Sequence, residues 1–464
     1  MPPSSAAWRP NLPPGDAPVY ARLVAALEAD IAAGALVPDT RLPTHRRLAD
    51  DLGVGVGTIT RAYADAEARG LITARVGRGS FVAAPRRPRL IPGDPSGAID
   101  LARNLPPMAP AEAALAQTMA RLARRPDLID CLSYAPTPGL EAARRAGAAW
   151  LGRTANWPDL ADEQVICTAG AQQAVAAAIM AICRPGDALI AEGATFYGVK
   201  MLAAQLGLKL APAQMDAEGL TPDGLARAAA DSGARVVYVL PLQNPTARLM
   251  GAARRREIVE MARRLDLLLV EDDLYAAQVA DLGLQPLAAL APERTFYVSA
   301  LSKALAPGLR VGYLVPPAGA AFDRCLEALR TVAFGPPTFG GLVATDWIER
   351  GEAFEIAAAV NDELARRTAL ARSVLAAAME PMARPIASHV WLPLSELDAE
   401  RVAGQALRGG VETTPPRPPF LEGVAVSGLR ICLGAPADLG ELGKGLEVVR
   451  AALDPASRPA PGIV

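Results

Sequence analysis

Beyond residue 98 the sequence alternates short apolar, β-rich runs with longer alanine-rich stretches, and this alternation constrains the fold more than any other feature. The apolar runs lie at 164–168, 188–192, 235–240, 267–271, 295–299 and 311–315. Runs that are apolar throughout are typical of strands covered on both faces, and helix-length stretches between them favour parallel neighbours. We therefore predict an α/β domain, built around a mainly parallel sheet, over residues 99–464.

A stretch rich in proline, glycine and arginine precedes this domain. It covers residues 84–98, and its composition is typical of a linker rather than of a helix or strand. The sequence therefore predicts a separate N-terminal domain over residues 1–83.

The N-terminal part has a helical pattern that ends in a hairpin signal. Helices are predicted over Val19–Ile31, Arg46–Leu52 and Thr58–Arg69, and Thr44 can act as the N-cap of the second. The Gly-Arg-Gly sequence at 77–79 lies between two β-rich runs and predicts a short hairpin. Three helices followed by a hairpin form the order of a winged helix-turn-helix domain.

Charge is distributed unevenly between the two parts. Residues 1–89 contain 12 Arg against 8 Asp and Glu, whereas the remainder contains 35 Lys and Arg against 41 Asp and Glu. A mildly basic N-terminal part on an acidic body favours contact with nucleic acid through the N-terminal part alone.

Several classes of protein are disfavoured by what the sequence lacks. It has two histidines, no CxxC pair and five widely spaced cysteines, so we expect neither a metal site nor a disulfide framework. No run of about eighteen apolar residues is free of charge and proline, and the first fourteen residues lack the apolar core of a secretory signal. We therefore expect a cytoplasmic protein without a membrane partner.

The N-terminal segments at 41–49, 58–63 and 77–82, RLPTHRRLA, TITRAY and GRGSFV, resemble the GntR-type winged helix. The resemblance implies binding to double-stranded DNA, with the second helix of the motif in the major groove and other contacts to phosphate or the minor groove. The implied contacts come from the start of the motif, the recognition helix and the wing, and their residues are Thr44, Arg46, Thr58, Thr60, Arg61, Arg75 and Arg78.

One part of the recognition helix departs from the GntR pattern. Gly55-Val56 stands where Ser-Arg is usual, which removes a cap and a basic contact, and Gly57 follows. A glycine within a helix costs about 1 kcal/mol relative to alanine. We therefore expect a different sequence preference or weaker DNA binding; a winged helix used only for protein docking is the alternative. His45 is expected to be a plain surface residue.

The body has only four lysines, and Lys303 lies in the distinctive segment SALSKALAPGLRVGY at 299–313. This segment resembles the Schiff-base lysine segment of fold-type I enzymes that depend on pyridoxal 5'-phosphate (PLP). The resemblance implies that Lys303 forms an internal aldimine with PLP and that Arg310 holds the phosphate. Ala300 stands where a phosphate-binding serine is common, and Ser299 or Ser302 is expected to compensate.

Four further segments match the same family in order: TAGAQQ at 168–173, EGATFYG at 192–198, PLQNPT at 241–246 and EDDLY at 271–275. They imply phosphate binding at a helix N-terminus, ring stacking, two hydrogen bonds to the ring hydroxyl and a carboxylate that keeps the ring nitrogen protonated. The residues with these implied roles are Gly170, Ala171 and Gln172 for phosphate, Phe196 for stacking, Asn244 and Tyr275 for the hydroxyl, and Asp272 for the nitrogen.

Three more positions match the family in the flanking segments. Tyr134 resembles the residue that reaches the phosphate of a neighbouring subunit, and Arg430 resembles the arginine that binds a substrate carboxylate. His389 also lies in a matching segment. Two roles remain open for it: a buried structural histidine or a ligand-binding one.

The two parts together resemble the MocR-like transcription regulators. That resemblance implies a homodimer, a DNA operator and an effector, either PLP itself or an amino acid or amine, sensed through the aldimine on Lys303. A working aminotransferase with an accessory DNA-binding domain is the alternative, because Lys303, Asp272 and Arg430 are all present. The same three residues disfavour a purely structural scaffold. Whether the chain is an enzyme stays open.

Overall fold

The computed structural model describes residues 8–12, 17–33, 35–37, 40–69, 71–75, 79–82, 97–382, 384, 388–423 and 426–454. The chain divides into two units, Met1–Pro95 and Ser96–Val464. Two predicted features lie outside the described residues: the wing residue Arg78 and most of the linker. For Arg75 the structure describes the backbone, which belongs to a strand.

The N-terminal unit consists of three helices and a hairpin, as the sequence predicts. Its elements are α1 (Val19–Ala32), α2 (His45–Leu52), α3 (Val56–Ala68), β1 (Ile72–Arg75) and β2 (Gly79–Val82). The strands pair antiparallel, with Ile72 opposite Val82. An apolar core joins the three helices and the hairpin, with Leu23, Leu48 and Ile59 at most 1% exposed.

Local chemistry explains where these helices begin and end. The Thr44 side chain accepts a hydrogen bond of 3.4 Å from the Arg47 amide, which confirms the predicted N-cap of α2. Gly53 ends that helix in the left-handed region with φ of 65°. Helix α3 begins at Val56, two residues earlier than predicted, with Gly55 as an N-cap that supplies no side-chain hydrogen bond. The Thr58 amide still donates to the Gly55 carbonyl at 2.9 Å, so the two glycines of this turn do not prevent it from forming.

The first half of the second unit alternates strands and helices. Its elements are β3 (Ile99–Leu101), α4 (Ala109–Leu122), α5 (Glu141–Thr154), β4 (Ile166–Thr168), α6 (Ala171–Ile182), β5 (Ala188–Glu192), α7 (Tyr197–Gln205), β6 (Lys209–Ala213), β7 (Met215–Asp216), β8 (Gly219–Leu220), α8 (Pro222–Ser232), β9 (Val236–Val239), α9 (Ala252–Arg264), β10 (Leu268–Asp272), α10 (Leu287–Leu290), β11 (Thr295–Ala300) and β12 (Gly312–Val315).

The second half is mainly helical with three further strands. These elements are α11 (Ala320–Val332), α12 (Thr338–Glu349), α13 (Glu352–Leu375), β13 (His389–Pro393), α14 (Glu396–Arg408), β14 (Val411–Thr413), β15 (Gly428–Cys432) and α15 (Leu439–Leu453). No helix among the described residues has the length and apolar character needed to cross a membrane.

Seven strands form the central sheet in the order β4-β12-β11-β10-β9-β5-β6. Only β12 runs antiparallel to its neighbours, so the predicted mainly parallel sheet is confirmed. All six predicted strands are present. The edge strand β6 was not predicted, because Lys209 and Pro212 interrupt its apolar character.

Helices cover both faces of this sheet, and alternate strand residues point to opposite faces. In β9, Val236 and Tyr238 pack into the apolar layer that contains α6 and α11. Val237 and Val239 pack into the layer that contains α8 and α9. Burial on both sides explains the continuous apolar runs in the sequence.

Two further small sheets lie in the second unit, and one of them joins its N-terminal and C-terminal parts. Strand β3 pairs in parallel with β14, with Ile99 opposite Val411. Strand β13 pairs antiparallel with β15, with Trp391 opposite Arg430. The Ala102 carbonyl, directly after β3, accepts a hydrogen bond of 3.2 Å from Arg430 of β15, so the residues that follow β3 lie beside that strand.

Candidate functional site

A cavity of about 490 Å³ lies where the parallel strands of the central sheet end. Asp272 is the last residue of β10, and segments that follow β4, β5, β9 and β11 complete the wall. This edge is where α/β sheets bind ligands. The sequence-predicted residues that line the cavity are Ala171, Gln172, Phe196, Asn244, Asp272, Tyr275, Ser302, Lys303, Arg310 and Arg430.

Asp272 has one carboxylate oxygen in a hydrogen bond and one without a partner. Its Oδ2 accepts from the Tyr238 hydroxyl, while its buried Oδ1 has no partner among the described residues. The pKa of Asp272 is raised to about 7, mainly because burial disfavours the charged form; the charge of Asp273 acts in the same direction, and the Tyr238 hydrogen bond and the charge of Lys303 act against it. An unpartnered buried acceptor at this place fits the protonated ring nitrogen of PLP.

Lys303 lies just beyond β11 and directs its amine into the same cavity. Its Nζ donates a hydrogen bond of 2.6 Å to the Asn104 carbonyl. The pKa of Lys303 is lowered to about 8, mainly by burial and also by the positive charge of Arg430. A lysine that is partly neutral near neutral pH is suited to attack an aldehyde.

The loop between β4 and α6 forms the end of the site that suits a phosphate. Gly170 has φ of 85° and directly precedes the N-terminus of α6, where free backbone amides favour an anion. The Arg310 side chain donates to the Ala169 carbonyl at 2.8 Å. A Cβ at Gly170 would lie 2.7 Å from Arg310 Nη2, and the left-handed φ of Gly170 also favours glycine at this position.

The structure distinguishes the two serines that were expected to compensate for Ala300. The Ser299 hydroxyl is buried and donates to the Asp273 carbonyl at 3.0 Å, away from the cavity. Ser302 lines the cavity. Ser302 is therefore the serine that remains available to a phosphate.

Arg430 uses three of its five N–H groups within the protein. Its guanidinium donates to Thr414 Oγ1 at 3.1 Å, to Asn244 Oδ1 at 2.8 Å and to the Ala102 carbonyl at 3.2 Å. One N–H remains on each terminal nitrogen, which is the number that a bidentate carboxylate contact requires. The side chain is thus held in position and can still bind a carboxylate.

Tyr134 is the predicted cofactor residue that lies apart from the cavity. It is 86% exposed, and its ring packs against Phe334 with centroids 5.7 Å apart. Within one chain it does not line the site, which is compatible with the predicted role toward a neighbouring subunit.

The sequence did not predict three residues at the site, Asn104, Tyr238 and Thr195, and it left the role of His389 undecided. Asn104 donates from Nδ2 to the Tyr275 hydroxyl at 2.7 Å, and the same nitrogen lies 3.3 Å from His389 Nδ1. His389 is buried, with a pKa well below its ordinary value because of desolvation, so it is neutral. Tyr238 and Thr195, which are both buried, complete the set. No motif marks Asn104, and Tyr238 looks like an ordinary residue of an apolar strand.

The predicted DNA-contacting residues of the N-terminal unit differ in their surroundings. Arg46 is exposed and has no ion-pair partner among the described residues. The Arg61 guanidinium lies 4.1 Å from the centre of the Tyr20 ring, where cation–π attraction holds it. The Thr60 hydroxyl donates to the Val56 carbonyl at 3.0 Å. Thr58 is half-buried.

His45 is more than the surface residue that the sequence suggested. It is half-buried, and its ring packs edge-on against Tyr63 with centroids 4.8 Å apart. Its Nδ1 lies 3.2 Å from the Thr60 hydroxyl. His45 therefore ties α2 to α3, which a lone histidine in a basic segment does not reveal.

Comparison with known protein families identifies both units. The profile of the family "Aminotransferase class I and II" matches residues 96–449, and that of "Bacterial regulatory proteins, gntR family" matches residues 19–82.

Two bacterial regulators are similar to most of the chain. The uncharacterized HTH-type transcriptional regulator YdeF of Bacillus subtilis is 31% identical over 314 residues, which cover 67% of each chain. The probable rhizopine catabolism regulatory protein MocR of Rhizobium meliloti is 29% identical over 339 residues, which cover 65% of this chain and 66% of that protein.

Solved aminotransferase structures share the fold of the second unit. The α-aminoadipate aminotransferase LysN of Thermus thermophilus, in complex with N-(5'-phosphopyridoxyl)-L-leucine, aligns with a TM-score of 0.68 at 25% identity and covers 77% of this chain and 92% of its own. The kynurenine aminotransferase of Pyrococcus horikoshii aligns with a TM-score of 0.70 at 21% identity, covering 78% of this chain and 91% of its own.

Proposed function

The chain belongs to the class I and II aminotransferase family and to its MocR-like regulators, which carry a GntR-type DNA-binding domain in front, and we propose that it regulates transcription in response to PLP or an amino-acid or amine effector. The observation that carries this proposal is the convergence of Lys303, Asp272 and Arg430 on one cavity, in a chain that also folds a winged helix. We propose domain boundaries at 1–83 and 99–464 with a linker at 84–98.

PLP is the cofactor of this family, and the cavity wall fits it. When bound, PLP supplies an electron-withdrawing ring to an attached amine. Lys303 would bind the aldehyde carbon, and Asp272 Oδ1 would accept from the ring nitrogen. Asn244 and Tyr275 would contact the ring hydroxyl, and Phe196 would cover a ring face. The residues that would hold the phosphate are Gly170, Ala171, Gln172, Ser302 and Arg310.

The effector is proposed to carry a carboxylate and an amine. Arg430 offers one free N–H on each terminal nitrogen, so a carboxylate can bind there in the bidentate geometry that arginine favours. Lys303 lies in the same cavity, so an amine on the same ligand can reach the cofactor. An α-amino acid combines these two groups.

The N-terminal unit is proposed to bind a double-stranded operator. The exposed Arg46, with Thr44 at the start of α2, is placed to contact phosphate. Helix α3 presents Thr60 and Arg61, and Thr58 lies in its first turn. Arg75 and Arg78 of the wing are proposed to reach phosphate or the minor groove. Because bacterial DNA lies in the cytoplasm, we place the protein there.

A homodimer is proposed through an exposed apolar patch, which we call the 129–334 patch. Its residues are Ile129, Leu132, Tyr134, Val332 and Phe334, which are between 51% and 86% exposed. The patch is formed by two segments of the chain, which contact each other through the Tyr134 and Phe334 rings. A contiguous exposed apolar surface is typical of a protein–protein interface. Tyr134 would then reach the phosphate of the partner.

The proposal is tested by operator binding with and without ligand. A gel shift on the region upstream of the chain's own gene would compare the wild type in the absence of PLP, with PLP, and with PLP plus individual amino acids. We expect PLP or one amino acid to change the affinity, and Lys303→Ala to remove that change. Operator affinity that is the same under every condition would overturn the regulatory proposal, because an effector acts only through different affinities for two states.

Transamination is the second candidate function. A pKa of about 8 for Lys303 leaves part of its amine neutral and able to accept a proton from a bound amine. Asp272 and Arg430 supply the other groups that this chemistry needs. Conversion of an amino acid to its keto acid by the wild type at ordinary enzyme rates, absent in Lys303→Ala, would support it.

A further inference from the structure

We propose that Asn104 is a positioning residue of the PLP site, which directs the hydroxyl proton of Tyr275 into the cavity. The inference rests on the proposed binding of PLP. It adds to the PLP site a residue that lies outside the sequence segments that match the PLP-dependent family. Asn104 acts on the cofactor through Tyr275.

The segment that carries Asn104 is held firmly on both sides. It follows β3, and the Asp100 side chain accepts from the backbone amides of Ala102 and Arg103 at 2.9 Å each. The Asn104 carbonyl accepts from Lys303 Nζ at 2.6 Å. The Ala102 carbonyl accepts from Arg430 at 3.2 Å. Asn104 is therefore fixed between Lys303 and Arg430, two of the cationic groups of the cavity.

The hydrogen bonds of the Asn104 amide define the direction of the Tyr275 proton. An amide nitrogen has two hydrogens. One lies toward the Tyr275 hydroxyl at 2.7 Å and the other toward Nδ1 of the neutral His389 at 3.3 Å. Since the Tyr275 oxygen accepts from Asn104, its own proton is left to donate elsewhere. Tyr275 lines the cavity, so that donation is available to a ligand.

Asn244 is oriented in the same manner by a different residue. Its Oδ1 accepts from Arg430 at 2.8 Å, which leaves its amide N–H groups as donors. Asn244 and Tyr275 then present two donors to one oxygen of the PLP ring. Two donors stabilise the deprotonated form of that oxygen. Asn104 strengthens the second donor, because an O–H group that accepts a hydrogen bond becomes a better donor.

A pH titration of the visible absorption of the PLP-loaded protein tests this role. Tyr275→Phe removes one donor and is expected to raise the midpoint of the titration by about 0.4–1 pH unit, which corresponds to one hydrogen bond. Asn104→Ala is expected to raise it by a smaller amount. Asn104→Asp conserves the shape but replaces the donor with an acceptor that takes the Tyr275 proton, and its negative charge also favours the protonated form, so its shift should be at least that of Tyr275→Phe.

Two controls separate this role from a general structural effect. Asn361→Ala removes an amide that donates to the Ala277 carbonyl at 2.9 Å, outside the cavity wall, and should leave the midpoint unchanged. In the double variant Asn104→Ala with Tyr275→Phe, the shift should equal that of Tyr275→Phe alone, because Asn104 has no other route to the ring oxygen.

The outcomes distinguish this inference from the proposed function. A wild type that gains no visible band with PLP would overturn both. A wild-type band whose midpoint is unchanged in Asn104→Asp, or shifts that simply add in the double variant, would overturn the role of Asn104 and leave PLP binding intact.

Discussion

The Arg430 guanidinium donates a hydrogen bond of 2.8 Å to Asn244 Oδ1, across 186 positions of the sequence. This contact joins the residue proposed for the effector carboxylate to one proposed for the ring hydroxyl of PLP. A carboxylate bound to the two remaining N–H groups of Arg430 therefore also acts on Asn244, because both share one guanidinium. Effector binding and the protonation of the cofactor should be coupled through this pair.

Arg430→Lys should weaken binding of the effector and alter the cofactor. Lysine has no planar fork, so a bidentate contact becomes a single one, and we expect a roughly 10–100-fold loss of amino-acid affinity. Asn244 also loses the partner that orients it, so the visible titration midpoint should rise. Both are measured by spectral titration of the PLP-loaded protein. Arg145→Lys, on an exposed i,i+4 pair with Glu141, is the control. Equal affinities would contradict the assignment of Arg430.

Lys303→Ala should abolish covalent attachment of PLP. After borohydride reduction and digestion, mass spectrometry should find the cofactor on the Lys303 peptide of the wild type and on no peptide of the variant. Lys444→Ala removes an exposed lysine from α15 and should behave as the wild type. Cofactor found on another lysine of the wild type would show that Lys303 has a different role.

The rate of PLP attachment should rise with pH around the pKa of Lys303. The neutral amine is the nucleophile, and a pKa lowered to about 8 leaves roughly a tenth of it neutral at pH 7. The rate should therefore increase almost tenfold per pH unit below about pH 7, by roughly fivefold between about pH 7 and 8, and level off above about pH 9. Stopped-flow absorbance at a fixed PLP concentration measures this. A rate that continues to rise well above pH 8 would indicate an amine with an ordinary pKa.

The sequence predicts the fold well because burial on both faces leaves a clear pattern. Each apolar run from 164–168 to 311–315 became a strand of the central sheet. The carboxyl ends of these strands meet at one edge, so residues in separate motifs, such as Asn244 and Asp272, come together.

The residues that the sequence did not predict act through contacts that only the folded chain forms. Asn104 reaches Tyr275 across 171 positions, and it follows a strand, β3, that pairs with β14 near the other end of the chain. Tyr238 donates to Asp272 from the adjacent strand, although its place in an apolar run indicates only a core residue. Such roles depend on the register between strands, which composition and periodicity do not specify.

Arg46→Ala should weaken operator binding without changing the PLP content. Arg46 is exposed at the start of α2, and an arginine that contacts phosphate contributes about one released counterion to the salt dependence. The slope of log affinity against log salt should therefore fall by about one, with similar losses on specific and unrelated DNA. Fluorescence anisotropy at several salt concentrations measures it. Arg69→Ala, on an exposed pair with Asp65, is the control; an unchanged slope in Arg46→Ala would remove that residue from the interface.

Leu132→Asp should convert the proposed dimer to a monomer. Leu132 is 85% exposed in the 129–334 patch, so a carboxylate there costs a protomer little but is strongly unfavourable inside an apolar interface. Sedimentation velocity should show a halved mass for the variant, with PLP affinity reduced because Tyr134 no longer reaches a partner site. Leu397→Asp is the matched control, since Leu397 is 80% exposed on α14 outside the patch and should leave the mass unchanged. A Leu132→Asp protein with the wild-type mass would place the subunit interface elsewhere on the second unit.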